Sequence, residues 1–305
     1  MGQAPTALVR LIAAEAAAPV APAIETVAVA ARHRHGPGIV AVLFYGSCLR
    51  DKGGDVDKIA DLYLLADSYS QVHPGLLMRG LNRLLPPNVY YIEAPFEGRT
   101  VRAKYAIMTL VQFERRVGCR TLQSYFWARF AQPTIVLWAR EEAIRERLVR
   151  ALADAVVTTA AATRPLLEAS AGRDPLWARA FREAYRTELR AEAPERGVAL
   201  YHAFADRYDA ITRILDPDDT GWSPSPKDRL RAERTWRRRR ILGKTLSVLR
   251  LIKSAFTFHD GAAYLMWKIK RHSGVSIELT PWQRRHPILA SGTLFWKIYR
   301  AGGFR

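Results

Sequence analysis

Cysteine is almost missing from this chain of 305 residues, with Cys48 and Cys119 the only two. Two thiols cannot form a disulfide framework or a thiolate metal site, so the fold rests on its own core and suits a reducing compartment. Long apolar runs are scarce too. The longest obvious one, Ile39 to Tyr45, has the length of a buried strand and falls short of the roughly 18 residues that mark a spanning helix. The Ala-rich N-terminus lacks both the basic start and the compact apolar region of a secretory signal. Neither an internal repeat nor a low-complexity tract is visible. These shortages point away from secreted, membrane-spanning and repeat architectures, and the length leaves room for one large or two ordinary domains.

Acidic residues are also few, 29 against 47 Lys and Arg, for a formal net charge of +18. The excess is not spread evenly. From Lys227 to Arg305 there are 19 Lys and Arg against Asp228, Glu233, Asp260 and Glu278, which places +15 of the +18 in that stretch. Such a field attracts polyanions, either nucleic acid or an anionic bilayer.

Residues 7–33 are Ala-rich with apolar spacing that predicts helix, interrupted at Pro19 and Pro22 and ended by His35-Gly36-Pro37-Gly38. Strand signals follow at Ile39–Tyr45, Ile59–Leu65, Val89–Ile92 and Arg102–Leu110, with a turn at Glu97-Gly98, and together they predict a small mixed sheet. Beyond Ala139 the pattern turns helical, strongest over Glu141–Val157 and Trp177–Ala191. Asp216–Lys227, with three prolines and a glycine, is the expected boundary before the basic region. The expected organisation is an N-terminal helical segment (1–37), a mixed α+β domain (38–140), a helical second domain (141–226) and a basic amphipathic region (227–305).

The chemistry concentrates at Phe44-Tyr45-Gly46-Ser47. A strand that ends in Gly-Ser and opens into a helix turns backbone N–H groups and a hydroxyl toward an anion, and glycine lets phosphates approach closely. Gly-Ser alone is an ordinary strand-ending turn. Its weight comes from Asp61, fourteen residues after Ser47 on the next strand, where a carboxylate can hold Mg²⁺ against those phosphates. Polymerase-β-type nucleotidyltransferases usually carry Asp-x-Asp on that strand, whereas this chain has Ile59 and Tyr63 flanking Asp61. Asp55-Val56-Asp57 spells the pattern in the loop before the strand, as reserve ligands or as solvated loop acids. Glu188, between Arg186 and Arg190 on a predicted helix, is the candidate second acid, with a surface ion pair as its plainer reading. Cys48 reads as a small packing residue, since no histidine adjoins it to make a nucleophile.

These residues resemble the mitochondrial-type phosphatidate cytidylyltransferases, the translocator assembly and maintenance family, along most of the chain. Tyr45-Gly46-Ser47 followed by Lys58-Ile59-Ala60-Asp61-Leu62 resembles the family's Tyr-Gly-Ser turn and single-Asp strand. Lys104-Tyr105 is similar to its Lys-Tyr-Gly segment, Ala128–Pro133 to its Gly-Arg-Leu-x-Lys-Pro segment, and Tyr185–Arg190 to its Tyr-Ser-Gly-Asp-Phe-Arg segment. Thr257–Gly261 with Tyr264, Lys268 and Arg271 resembles its C-terminal ending. Departures stand at Cys48 for Gly, Gln132 for Lys, and Thr187-Glu188 for Gly-Asp. The resemblance implies an α+β fold with a nucleotidyltransferase domain, a winged-helix-like second domain and a C-terminal membrane-contacting region. It also implies the reaction of CTP and phosphatidate to CDP-diacylglycerol and pyrophosphate with Mg²⁺.

On that reading Tyr45, Gly46, Ser47 and Lys58 bind the nucleotide, and Asp61 and Glu188 are the catalytic acids and metal ligands, with Asp55 and Asp57 in reserve. Lys104, Arg129 and Arg190 neutralise substrate phosphate. Residues 241–305 would dock on an anionic membrane. Leu242, Leu246, Leu249, Ile252 and Phe256 recur there at helical spacing among Lys244, Arg250 and Lys253, and a second contact is expected at Phe295-Trp296-Lys297-Ile298-Tyr299-Arg300. A peripheral, cytoplasmic-face location follows, with no stable nucleic-acid partner. Two alternatives keep the fold: transfer to RNA or another acceptor, for which Arg237–Arg240 would supply the cations, and a catalytically inactive membrane-associated scaffold.

Overall fold

The computed structural model describes residues 4–50, 58–119, 121–167, 176–188, 195–218, 224–257 and 280. Proline makes the first division. Helix α1 (Thr6–Ala16) buries Leu8, Ile12 and Ala16 at a four-residue interval, and α2 (Pro22–His35) starts on a proline whose missing N–H costs nothing in a first turn. Gly36 at φ 69° then turns the chain into β1 (Ile39–Tyr45). The next elements are α3 (Ser47–Arg50), β2 (Ile59–Ala66), α4 (Tyr69–Val72), α5 (Leu76–Leu84), β3 (Asn88–Phe96) and β4 (Arg99–Thr109). Then come α6 (Leu110–Val117), α7 (Ser124–Phe130), β5 (Ile135–Ala139) and α8 (Glu142–Thr163). The series ends with α9 (Leu176–Tyr185), α10 (Glu195–His202), α11 (Ala205–Leu215) and α12 (Pro226–Thr257).

The five strands form one mixed sheet in the order β3-β4-β2-β1-β5, with β2 and β4 parallel and the other neighbours antiparallel. An α+β architecture with a mixed sheet is therefore what the chain adopts. The β3–β4 hairpin turns at Glu97-Gly98, both at positive φ (46° and 72°), the backbone that matches strand twist. Both its strands run longer than their apolar runs suggest, because pairing carries them past those runs. Strand β5 was not foreseen, since a five-residue run before a strong helix carries little signal of its own. Helix α9 stops at Tyr185, well before Ala191, so Glu188 sits in the following turn and not on a helix. Among the described residues, 141–226 holds helices and no strand.

Strand alternation divides the sheet into two faces. Val42, Phe44, Leu62, Leu64, Tyr105 and Ile107 pack toward α2. Leu43, Tyr45, Tyr63, Leu65, Ala106 and Met108 pack toward Phe113, Phe126, Trp127 and Phe130, and this core continues into α8, α9 and Trp236 of α12. Phe130 is its hub, 4.7 Å from Phe113, 5.1 Å from Tyr63 and 5.7 Å from Tyr45 between ring centroids.

Helix α12, 32 residues long, straps this second face. Trp236 Nε1 donates to the Ala162 carbonyl at 2.9 Å. Further along, the Gly243 backbone presses on Thr187, so that a Cβ there would collide with the Thr187 carbonyl. Arg250 Nε donates to the Pro86 carbonyl at 2.9 Å and its guanidinium lies 4.6 Å from the Tyr125 ring centre. Lys253 is 6% exposed and donates to Asn82 Oδ1, the Leu85 carbonyl and the Pro87 carbonyl at 2.9, 2.6 and 2.8 Å. Burial lowers its pKa to about 8, yet three acceptors match the three protons of an ammonium, so it is charged at neutral pH. Arg250 and Lys253 are thus spent on docking the helix and do not present their charge to an outer surface, a correction to the expected basic face. Phe295–Arg300 and the segment with Tyr264, Lys268 and Arg271 lie outside the described residues.

Two stability predictions follow from these contacts. Gly243→Ala should cost about 1–3 kcal/mol by forcing α12 away from Thr187, read as a lower urea midpoint at unchanged slope. His35, 2.9 Å from the Tyr105 hydroxyl, has its pKa pushed down to about 4 by burial, then by Arg34 and His73. The unfolded chain therefore takes up this proton first, and the stability His35 contributes above pH about 6.5 is lost as pH falls toward 4. His35→Gln should flatten that part of the melting temperature against pH; an unchanged slope would contradict the assignment.

Candidate active site

The strand register builds the site. Tyr45, the last residue of β1, faces Asp61 of β2 across an antiparallel pair, and Lys104 of β4 faces Asp61 from the other side across a parallel one. Residues opposite one another project to the same face. Tyr45, Asp61 and Lys104 therefore form a row at one end of the face covered by α6, α7 and α8.

Immediately after Tyr45, Gly46 adopts φ 91° and packs so tightly that an added Cβ would lie 2.6 Å from Asp61 Oδ2. Glycine is required here twice over, by backbone conformation and by the carboxylate beneath it. The sequence suggested glycine for the approach of phosphates; the structure adds that Asp61 itself needs the space. Ser47 opens the short α3 and is exposed, while Lys58 lies just before β2. The buried Cys48 thiol donates to the Ile59 carbonyl at 3.0 Å, tying α3 to the start of β2, which is the packing role expected of it.

Arg129, from the last turn of α7, reaches the same face. Its guanidinium carbon lies 5.6 Å from the Tyr45 ring centre and 4.5 Å from that of Tyr125, and Nη2 lies 3.6 Å from Glu188 Oε2. Burial opposes the charge, but Tyr125, Tyr45 and Glu188 outweigh it and hold the guanidinium well above its ordinary pKa. The Tyr45 hydroxyl is pushed up by burial, with Arg129 opposing and Asp61 reinforcing, so it is neutral and acts as a polar spacer. Asp61, Tyr45, Arg129 and Glu188 thus follow one another along the face.

The turn that carries Glu188 is held from below. Thr187 is buried, and its hydroxyl pairs with that of Ser124 at the start of α7 at 2.8 Å and donates to the Ala184 carbonyl at 2.7 Å. Arg129 and Glu188 are therefore brought together by two anchored segments. Sequence reasoning missed Tyr125 and the role of Arg250 beside it: the Tyr125 ring centre lies 4.5 Å from the Arg129 guanidinium and 4.6 Å from that of Arg250. No local pattern could have found a pair 125 positions apart. Asp55, Asp57 and Arg190 lie outside the described residues.

Beside Glu188 opens a cavity of about 730 Å³ between α9 and α12, lined by Arg179, Glu183, Arg186, Trp236, Arg240 and Lys244 among others. Of the tetra-arginine run, Arg239 lies 5.3 and 4.8 Å from the Trp127 and Trp236 ring centres, and burial pulls its pKa down to about 10. Arg240 bonds Glu183 at 2.9 Å. Of the four arginines that the RNA alternative would use, Arg239 is thus turned into the protein and Arg240 is held by Glu183 on the cavity wall. Among the described residues no group of three His, Cys, Asp or Glu side chains clusters as a metal site, and no helix is long and apolar enough to cross a membrane.

No protein-family model matches this chain, and no curated protein matches it. Among solved structures, a nucleotidyltransferase-like protein from Exiguobacterium sibiricum 255-15 aligns over 92% of each chain at 9% sequence identity and a TM-score of 0.26, too low a likeness to identify a common fold.

Proposed function

We propose that this protein is a Mg²⁺-dependent nucleotidyltransferase that joins CTP to phosphatidate at a membrane surface, giving CDP-diacylglycerol and pyrophosphate. The observation that carries the reading is the packing of the Gly46 turn directly on the Asp61 carboxylate. It sets a glycine turn at the start of a helix and an acid side by side, as nucleotidyl transfer requires. The lipid acceptor is supported by the sequence resemblance and by charge, not by the site geometry.

Mg²⁺ in phosphoryl-transfer sites is commonly held by one or two carboxylates completed by substrate phosphates and water. Asp61 supplies one such carboxylate; Glu188, beyond Tyr45 on the same face and paired with Arg129, is the second acid of this reading. When bound, the ion supplies charge neutralisation at the reacting phosphate and leaving pyrophosphate. The chain's own residues do the positioning. Gly46 and Ser47 offer the turn to the outer phosphates, with Lys58 nearby. Lys104 and Arg129 balance acceptor phosphate, joined in this reading by Arg190, and Asp55 and Asp57 stay in reserve as ligands. Arg129 also fixes the Glu188 carboxylate, so its two jobs are linked.

A lipid acceptor demands a docking surface. Leu76, Leu77 and Leu84 of α5 are 81%, 75% and 75% exposed, and on α12 Ile241, Val248 and Leu249 are exposed as well. The Lys253 bonds to Asn82 and Leu85 hold these two helices together. Exposed apolar side chains on both helices, in a chain whose basic charge is concentrated from Lys227 onward, are the combination an anionic bilayer binds. The inward-turned Arg239 weighs against an RNA acceptor.

With labelled CTP, phosphatidate vesicles and Mg²⁺, the protein should release CDP-lipid and pyrophosphate. Asp61→Ala should lower turnover roughly a thousandfold without changing the melting transition, and chelation should do the same reversibly. Appreciable CDP-lipid from that variant would sink the assignment. In flotation with anionic vesicles, removing residues 258–305 should weaken binding, since each basic residue near the surface contributes about 1 kcal/mol. Leu76→Ser/Leu77→Ser should weaken it further; equal flotation of all three proteins would exclude this surface.

A further inference from the structure

The cavity beside Glu188 is built around a buried acid that the reaction centre does not use. Glu183 is 2% exposed at its side chain, and three arginines converge on it. Arg179 Nε and Arg186 Nη1 approach Oε1 at 3.3 and 3.1 Å, and Arg240 Nη1 approaches Oε2 at 2.9 Å. A guanidinium carries five N–H donors in a rigid fork, so each arginine spends only a part of its capacity on Glu183. Their side chains remain 33%, 48% and 35% exposed, on the cavity wall.

The charge balance of the wall favours an anion. Arg179, Arg186, Arg240 and Lys244 stand against Glu183, Glu188 and Glu233. Two of these acids are matched by partners that are not among the lining residues: Glu188 by Arg129 at 3.6 Å and Glu233 by Arg229 at 3.2 Å. Among the described lining residues, four cations are then left facing one buried carboxylate. A dianion lowers that excess of three positive charges to one. The volume of about 730 Å³ lies in the range of small-molecule sites, and Trp236 and Leu166 add an apolar side.

We propose that the cavity between α9 and α12 is a binding site for a phosphate monoester dianion, gripped by Arg179, Arg186, Arg240 and Lys244, with Glu183 as the positioning residue that holds the three guanidinium groups in place. Planar guanidinium groups suit phosphate because they can donate two parallel bonds to its oxygens. The assignment concerns binding alone and holds whether or not the Asp61 face transfers nucleotides. A free phosphate and a lipid headgroup share the required chemistry.

Titration calorimetry of the full chain at low ionic strength, with inorganic phosphate and with soluble short-chain phosphatidate, tests the site. Saturable binding of either is expected. Arg240→Gln and Lys244→Gln should each weaken it about tenfold, the scale of one lost charge-assisted bond. Lys244→Gln removes no bond that anchors α12, so it keeps the test open if Arg240→Gln fails to fold. Equal affinity for both probes supports a free phosphate ligand, and tighter binding of the short-chain phosphatidate supports a lipid headgroup. The proposal is overturned if neither probe binds, if Lys244→Gln binds both as tightly as the parent, or if equimolar CTP displaces them.

Discussion

The pairing of Tyr45 with Asp61 is the constraint on which the site depends. It fixes which face of the sheet receives the carboxylate, and a slip of one residue would send Asp61 to the α2 side, among Phe44, Leu62 and Leu64. The buried core enforces the register. Every residue of β1 is buried, so both faces of the strand are committed to packing and neither tolerates a shift. The positive φ at Gly46 then lets the chain leave the strand over Asp61 without pushing it aside. A catalytic-looking turn is here the consequence of ordinary core packing on both sides of one strand.

Helix α12 links this site to the rest of the molecule. It touches the turn that bears Glu188 through Gly243, the ring beside Arg129 through Arg250, and the far edge of the sheet through Lys253. A helix with no broad apolar face is thereby fixed by a few close polar contacts. Such contacts are stringent, because a buried ammonium or guanidinium that loses its acceptors leaves an uncompensated charge. Position along the helix is therefore specified more sharply than an apolar stripe would manage, and with it the distance between α9 and α12 that opens the cavity.

Much of the sheet was legible from the chain. β-branched and aromatic runs marked β1 to β4, and Glu97-Gly98 marked the hairpin, since these signals are local and follow from backbone preference. Strand β5 was not, because its pairing with β1 depends on residues some 90 positions away. At the site, Gly46, Ser47 and Asp61 were named from spacing, Glu188 from its place between two arginines and again from the family resemblance, and Arg129 from the resemblance. Their partners Tyr125, Arg250 and Ser124 were invisible, as each acts through a contact that only folding creates. The end of α9 was overestimated because apolar periodicity continues beyond Tyr185, while the Thr187 hydroxyl diverts to Ser124 and Ala184 and turns the chain.

Charge taught the most about reading sequence as structure. Counting cations from Lys227 onward suggested a basic amphipathic region, but among the described residues folding divides them into two populations. Arg239, Arg240, Arg250 and Lys253 lie against indole and phenol rings, a buried carboxylate or backbone carbonyls, and their role is to hold α12 in place. Arg237 and Arg238 are exposed on the same helix and remain available to a long-range field. Long-range attraction scales with net charge and cannot distinguish the two groups. Short-range function can, because a guanidinium held by a buried acid is already oriented before any anion arrives. The cluster on Glu183 has that property: its arginines are held in place, partly exposed and only partly neutralised, so an incoming dianion would meet donors whose ordering cost the fold has already met.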